Sequence, residues 1–128
     1  MIDETTNGVF TIAATPFLPD GALDFDSIDR MINAYIEKGA NGLTILGMMG
    51  EAGKLSAAES VDVVRRVTSR CSVPVIVGVS ASGFSAMQVL SQESMEAGAA
   101  AVMVAPPMGL QTDAQIIGFF HDTADALG

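Results

Sequence analysis

An α/β fold, a parallel sheet covered by helices, is what this sequence predicts, and three observations predict it. Apolar runs begin near residues 9, 42, 75 and 101, at spacings of 33, 33 and 26 residues. Each run is followed by a stretch with helical apolar period or a helix-start signature. The runs are apolar throughout rather than alternating, as strands buried on both faces are. Units of this size in strict alternation give either a (β/α)-barrel segment or a small doubly wound sheet.

The elements follow in order. Val9 to Ala14 reads as the first strand, and it stops at Thr15-Pro16-Phe17 because Pro16 has no N–H to give a ladder. Pro19-Asp20-Gly21 is turn chemistry, and Asp26 is the expected N-cap of the first helix. Ile28, Met31, Ile32, Tyr35 and Ile36 form one apolar stripe, closed by Lys38 and by Gly39 just past the end. Gly42 to Leu46 is the second strand. The turn Gly47-Met48-Met49-Gly50-Glu51 follows, and Ser56-Ala57-Ala58-Glu59 opens the next helix as a capping box. That helix runs to about Cys71, and Pro74 bars its continuation. Val73 to Val79 is the third strand. Ser85 to Gln88 reads as a second capping box, with its helix ending at Gly98. Ala101 to Ala105 is the fourth strand, stopped by Pro106-Pro107. Thr112 to Gln115 is a third box, and Ile116, Phe120, Thr123, Ala124 and Leu127 are the expected stripe of the last helix. The expectation is a single segment over residues 1–128.

Composition bounds the partners. Hydrophobic residues make up 49% and charged residues 16%, which is globular rather than disordered. No apolar run is long enough to span a bilayer, and no basic region followed by an apolar core opens the chain. A net charge of −9 argues against nucleic acid and anionic membranes as partners. Cys71 is the only cysteine, so no internal disulfide forms and a reducing cytoplasm is expected. All six basic residues precede Cys71. No strand leads into G-x-G-x-x-G or a Walker-type loop, so no nucleotide cofactor is expected.

In a barrel, chemistry sits in the loops after the strand C-termini. Those loops are Thr15 to Phe17, Gly47 to Lys54, Ser80 to Phe84 and Pro106 to Gln111, and Glu51 and Lys54 are their only charged residues. They hold no His, Cys or Tyr and no metal-ligand cluster, so no metal is expected. The Gly47–Gly50 turn is the candidate site. Two glycines bracket it where a strand gives way to a helix, so backbone N–H groups there can hold a small anion. The plainer alternative is a tight turn whose methionines fill core.

Gly42 to Ala52, with Leu55-Ser56 and Glu59 behind it, resembles the dihydrodipicolinate synthase / N-acetylneuraminate lyase family, Schiff-base class I aldolases on a (β/α)₈ TIM barrel. Thr15-Pro16-Phe17, Gly21 to Asp24 and Pro74 to Gly78 resemble further motifs of that family, and Ala105-Pro106-Pro107 stands where it usually has P-Y-Y. The resemblance is collinear from about Gly8 to the end. It implies the first four β/α units of the barrel, a lysine imine with pyruvate or a related α-keto acid, a relay tyrosine, no cofactor, and a homo-oligomer. The lysine belongs to a later strand than any here, and so does the tyrosine. Carried onto this sequence, Gly47, Met48, Met49 and Gly50 are the substrate-carboxylate loop, with the Met48 and Met49 amides as donors. Thr15, Pro107 and Met108 are expected at the pocket wall, and Glu51 as a structural loop carboxylate.

One departure bears on function. Met48 and Met49 replace the family's hydroxyl residues, and Met108 replaces a tyrosine. The resemblance therefore implies a lyase that is not a true dihydrodipicolinate synthase, with a more apolar or bulkier-tailed substrate. The alternative is a catalytically inactive half-barrel or a self-associating module. Lys54 beside a helix start, His121 on the last helix and Cys71 at a helix end are each read as structural or surface residues.

Overall fold

A computed structural model describes residues 2–81 and 83–128. Four β/α units follow one another: β1 (Phe10–Ile12), α1 (Phe25–Glu37), β2 (Gly42–Ile45), α2 (Ala57–Arg70), β3 (Val75–Gly78), α3 (Phe84–Glu96), β4 (Ala101–Met103) and α4 (Asp113–Leu127), with a 3₁₀ turn at Ala52–Lys54. All strand pairs are parallel, in the order β1-β2-β3-β4. That order never reverses, so there is no switch point of the doubly wound kind. The sheet is a barrel segment, with β1 and β4 as its edges.

Register follows the pleat. Thr11 pairs with Leu43, Leu43 with Val75, and Val77 with Val102. Leu43, Ile45, Val75, Val77 and Val79 are buried with Ile28 and Ile32 of α1 and Val63, Val64 and Val67 of α2. That face of the sheet is the core. The opposite face is open, where Ile12 on β1 is 48% exposed and Met103 on β4 is 43% exposed. Gly42 keeps the open face close-packed at its lower end, since a Cβ there would overlap the Phe10 ring.

The helix starts differ from expectation in two places. The N-cap of α1 is Asp24, not Asp26: its carboxylate accepts from the Ser27 N–H at 2.9 Å. Leu23 bridges back to Phe17, so the chain is still extended one residue before Asp24 and turns helical one residue after it. The hydroxyl and N–H of Ser27 hold the Asp24 carboxyl below the usual carboxylate range. The second expected box fails. The N-cap of α3 is Gly83 with no side-chain cap, because the helix begins at Phe84, whose ring stacks on Phe119 of α4 at 6.0 Å. The boxes of α2 and α4 are both made. Ser56 Oγ accepts from the Glu59 N–H at 3.2 Å, while the Ser56 N–H donates to the Glu59 carboxylate at 2.8 Å. Thr112 and Gln115 repeat the arrangement.

Helix ends are as the glycines indicate. Gly39 and Gly98 take φ of +87° and +96°, and Ala40 and Ala99 donate back to Tyr35 and Ser94 to close Schellman turns. The expected stripe of α4 needs correction. Thr123 is buried, but Phe120 and Ala124 are exposed, and Phe119 turns inward instead. Between α1 and α2, Asp29 accepts a two-pronged pair from Arg66 at 2.9 and 2.7 Å and a third contact from Arg70 at 3.0 Å.

Candidate functional site at the end of strand β2

Leu46 is the first unusual residue. It leaves β2 with φ of +54°, in the left-handed region that an L-residue enters only under constraint. Its side chain stays in the core, which anchors it against that cost. The Gly50 N–H then donates to the Gly47 carbonyl at 3.0 Å, and the Glu51 N–H donates to the Met48 carbonyl at 3.1 Å. Glu51 is left-handed as well, at φ +52°, and its carbonyl accepts from the Lys54 N–H at 2.8 Å. Two left-handed residues thus bracket two consecutive turns, a signal that sequence alone did not carry because neither is glycine.

Two neighbours fix the loop from behind. The Thr15 hydroxyl, nearly buried, donates to the Gly50 carbonyl at 2.6 Å. The Leu46 carbonyl lies so close over Gly78 that a Cβ at Gly78 would overlap it. The inner turn atoms are therefore engaged, while the N–H groups of Met48 and Met49 take no hydrogen-bond partner among the described residues. Met48 is 94% exposed and Met49 64%. Neither belongs to the core formed by the described residues.

The turn forms one wall of a cavity of about 310 Å³ at the C-terminal ends of the strands. Ile12, Gly47, Met48, Met49, Gly78, Ser80, Met103 and Ala105 are among its walls, and no charged side chain is. Ser80 Oγ accepts from the Ala105 N–H at 2.8 Å, tying the ends of β3 and β4 together. Its place directly after the third strand was the only sequence sign of this. Ser82, in the same loop, lies outside the described residues. A larger groove of about 570 Å³ runs between α3 and α4, on the helical side and away from the strand ends.

Three residues expected at the pocket wall are not among its walls. Thr15 sits behind the loop with its hydroxyl committed to Gly50, and Pro107 and Met108 lie in an outer loop where Met108 is 100% exposed. Glu51 pairs with Lys54 across the 3₁₀ turn at the surface, leaving the cap of α2 to Ser56 and Glu59. A lysine that exposed and that paired is no candidate for imine formation. His121 is exposed on α4. Burial pushes the half-buried Cys71 thiol up, which disfavours its reactive thiolate. Among the described residues no group of three or more His, Cys, Asp or Glu lies together as metal ligands would, and no helix is long and apolar enough to cross a membrane.

Comparison with known proteins places this geometry. The model of the dihydrodipicolinate synthetase family matches residues 5–126. The chain is 42% identical, over 104 residues, to a 4-hydroxy-tetrahydrodipicolinate synthase of Sorangium cellulosum, a match covering 79% of this chain and 35% of that protein. A crystal structure of dihydrodipicolinate synthase from Rhodopseudomonas palustris superposes with a TM-score of 0.92 at 51% identity, over 96% of this chain and 41% of that one. YagE, a prophage protein of the same family from E. coli K12, solved in complex with pyruvate, superposes with a TM-score of 0.85 at 30% identity, over 95% of this chain and 42% of that one. The chain thus spans about two fifths of the length of such relatives, with the strand order of an opening barrel half. It belongs to the dihydrodipicolinate synthetase family, as the first four β/α units of that family's TIM barrel.

Proposed function

We propose that these four β/α units carry the substrate-carboxylate half of a lyase or aldolase that acts on pyruvate or a related α-keto acid through a lysine Schiff base. The observation that carries this is the pair of N–H groups at Met48 and Met49 that take no partner among the described residues, on a braced turn where the strands end. Preorganised backbone donors at such a place suit a carboxylate: they do not move to meet it, and their strength does not depend on the side chain they carry. Hydrogen bonds to a charged group contribute roughly 1.5–3 kcal/mol each. The pyruvate complex of YagE supports the substrate class.

The imine lysine and the relay tyrosine belong, on this reading, to barrel strands outside residues 1–128. Thioethers at Met48 and Met49 and Met108 out in solvent stand where the hydroxyl residues associated with dihydrodipicolinate synthesis would be, and on this reading the enzyme is a family member other than a true synthase. The test is borohydride reduction in the presence of pyruvate, with intact-mass and peptide analysis, on the longest product of the reading frame. The expected result is a covalent gain of one reduced pyruvyl unit on a lysine other than Lys38 and Lys54. A reading frame that holds β5 to β8 and still traps nothing contradicts the proposal.

A second reading has one observation in its favour. The open face leaves β1 and β4 unpaired and Ile12 and Met103 exposed, as a self-associating half-barrel would.

A further inference from the structure

We infer that the Thr15 hydroxyl strengthens the Met49 amide as a carboxylate donor, through a line of hydrogen-bonded peptide groups that does not reach the Met48 amide. This rests on the carboxylate-loop reading above and sets its two donors apart. The Thr15 hydroxyl donates to the Gly50 carbonyl at 2.6 Å. That carbonyl shares a peptide group with the Glu51 N–H, which donates to the Met48 carbonyl at 3.1 Å. The Met48 carbonyl shares its own peptide group with the Met49 N–H, which takes no partner among the described residues. A donor on a peptide carbonyl draws electron density from the peptide nitrogen and makes its N–H a better donor, so each bond strengthens the next. Behind the Met48 N–H the line is shorter. The Gly47 carbonyl of its peptide group accepts from the Gly50 N–H at 3.0 Å, and the Met49 carbonyl behind that N–H takes no donor among the described residues. Met49 therefore ends a line of two hydrogen bonds headed by a hydroxyl, and Met48 a line of one.

The head of the longer line is fixed from both sides. Thr15 is buried, and two residues before it the Ala13 N–H donates to the Thr44 carbonyl at 2.9 Å. Pro16 restricts the Thr15 backbone to extended conformations, and the Pro16 carbonyl accepts from the Asp24 N–H at 3.0 Å. Branching at its Cβ leaves the Thr15 side chain few rotamers. On the accepting side Gly50 is buried, and a Cβ there would lie 3.1 Å from the Leu46 nitrogen, so its backbone is closely held. Away from water a hydroxyl-to-carbonyl bond keeps more of its electrostatic strength. Donor and acceptor belong to the first two β/α units, so the contact is complete within residues 1–128. Thr15 is thus a positioning residue, acting on a bound carboxylate through backbone groups.

The experiment follows ¹H–¹⁵N amide resonances of the wild type, Thr15→Val and Thr15→Ser during titration with pyruvate. In the wild type the downfield shift at saturation should be larger at Met49 than at Met48. Thr15→Val keeps the shape and removes the donor. It should reduce the Met49 shift, leave the Met48 shift near its wild-type size, and weaken pyruvate binding roughly two- to fourfold, as a polarisation of about 10–30% does to a hydrogen bond with a charged group. Thr15→Ser keeps the hydroxyl and should restore both the shift and the affinity. Loss of a hydroxyl that only braced the turn would loosen both amides alike, so equal losses at Met48 and Met49 overturn the inference. A Thr15→Val titration identical to that of the wild type overturns it too. Where Thr15→Val does not fold, the wild type decides: a Met49 shift no larger than that of Met48 overturns the inference. Each of these outcomes leaves the carboxylate loop standing, because the wild type still shows saturable shifts at the two amides. No saturable shift at either amide in the wild type overturns the loop reading and the inference together.

Discussion

Gly78 shows how one residue can hold a turn in place without a side chain. Its missing Cβ is the space that the Leu46 carbonyl occupies, and Leu46 is the residue that bends the chain out of β2 at φ +54°. Gly78→Ala should therefore force the backbone of the turn outward rather than merely crowd a side chain. The obstacle is a carbonyl, which cannot rotate away as a side chain can. The expected cost is about 1–3 kcal/mol of stability, read by chemical denaturation, with loss of the loop's amide positions in the same variant. An unchanged midpoint would show that the strand ends are looser than the packing indicates. Little of this was legible in the sequence. The two glycines flagged Gly47–Gly50 correctly as a turn, but the strain falls on Leu46 and Glu51, residue types that carry no such mark. Thr15 was expected at the pocket wall and lies behind the turn instead: a hydroxyl can serve a ligand or a backbone, and the 2.6 Å contact to the Gly50 carbonyl shows that here it serves the backbone.

At the level of elements, the three S/T-x-x-E/Q patterns separate what a local motif can establish from what packing decides. Ser56 and Thr112 cap their helices and Ser85 does not. Nothing local distinguishes them. The difference is Phe84, which stacks on Phe119 and draws the helix start forward so that Ser85 is already inside the first turn. Ser56→Ala should cost about 1 kcal/mol, in the range of lost N-caps, and Ser85→Ala should cost little. Paired denaturation curves check this, and equal losses would contradict the assignment of caps. The stripe of α4 failed for a related reason. Ile116, Ile117, Phe119 and Phe120 give apolar residues on more than one side of the helix, and the contact with α3 selects Phe119 over Phe120. The stripe of α1 was read well because Ile28 and Ile32 stand clear of polar neighbours on the other face. Strand positions were legible too, although each strand is shorter than its apolar run. The residues just past the strands form the turns that build the site.

For the whole molecule, the order β1-β2-β3-β4 with an uncovered face is half of a closed surface. The family's barrel was legible from collinear motifs, and the open face is what four units of such a barrel leave exposed. Two parallel edges and exposed Ile12 and Met103 predict that the chain alone associates. Light scattering over a concentration series should show species larger than 13.2 kDa, with a charged substitution at Ile12 reducing them. A strict monomer at every concentration would mean that the open face is protected in a way the exposed residues do not show.

Everything functional rests on Met48 and Met49 presenting free backbone donors to a carboxylate. The most direct measurement follows the ¹H–¹⁵N amide resonances of the chain during titration with pyruvate, against methyl pyruvate as a control that lacks the charge. The account predicts saturable downfield shifts at the Met48 and Met49 amides with pyruvate, a much weaker response to the ester, and little change at the paired amides of Gly50 and Glu51. Shifts spread evenly over surface amides, or an equal response to acid and ester, would contradict it.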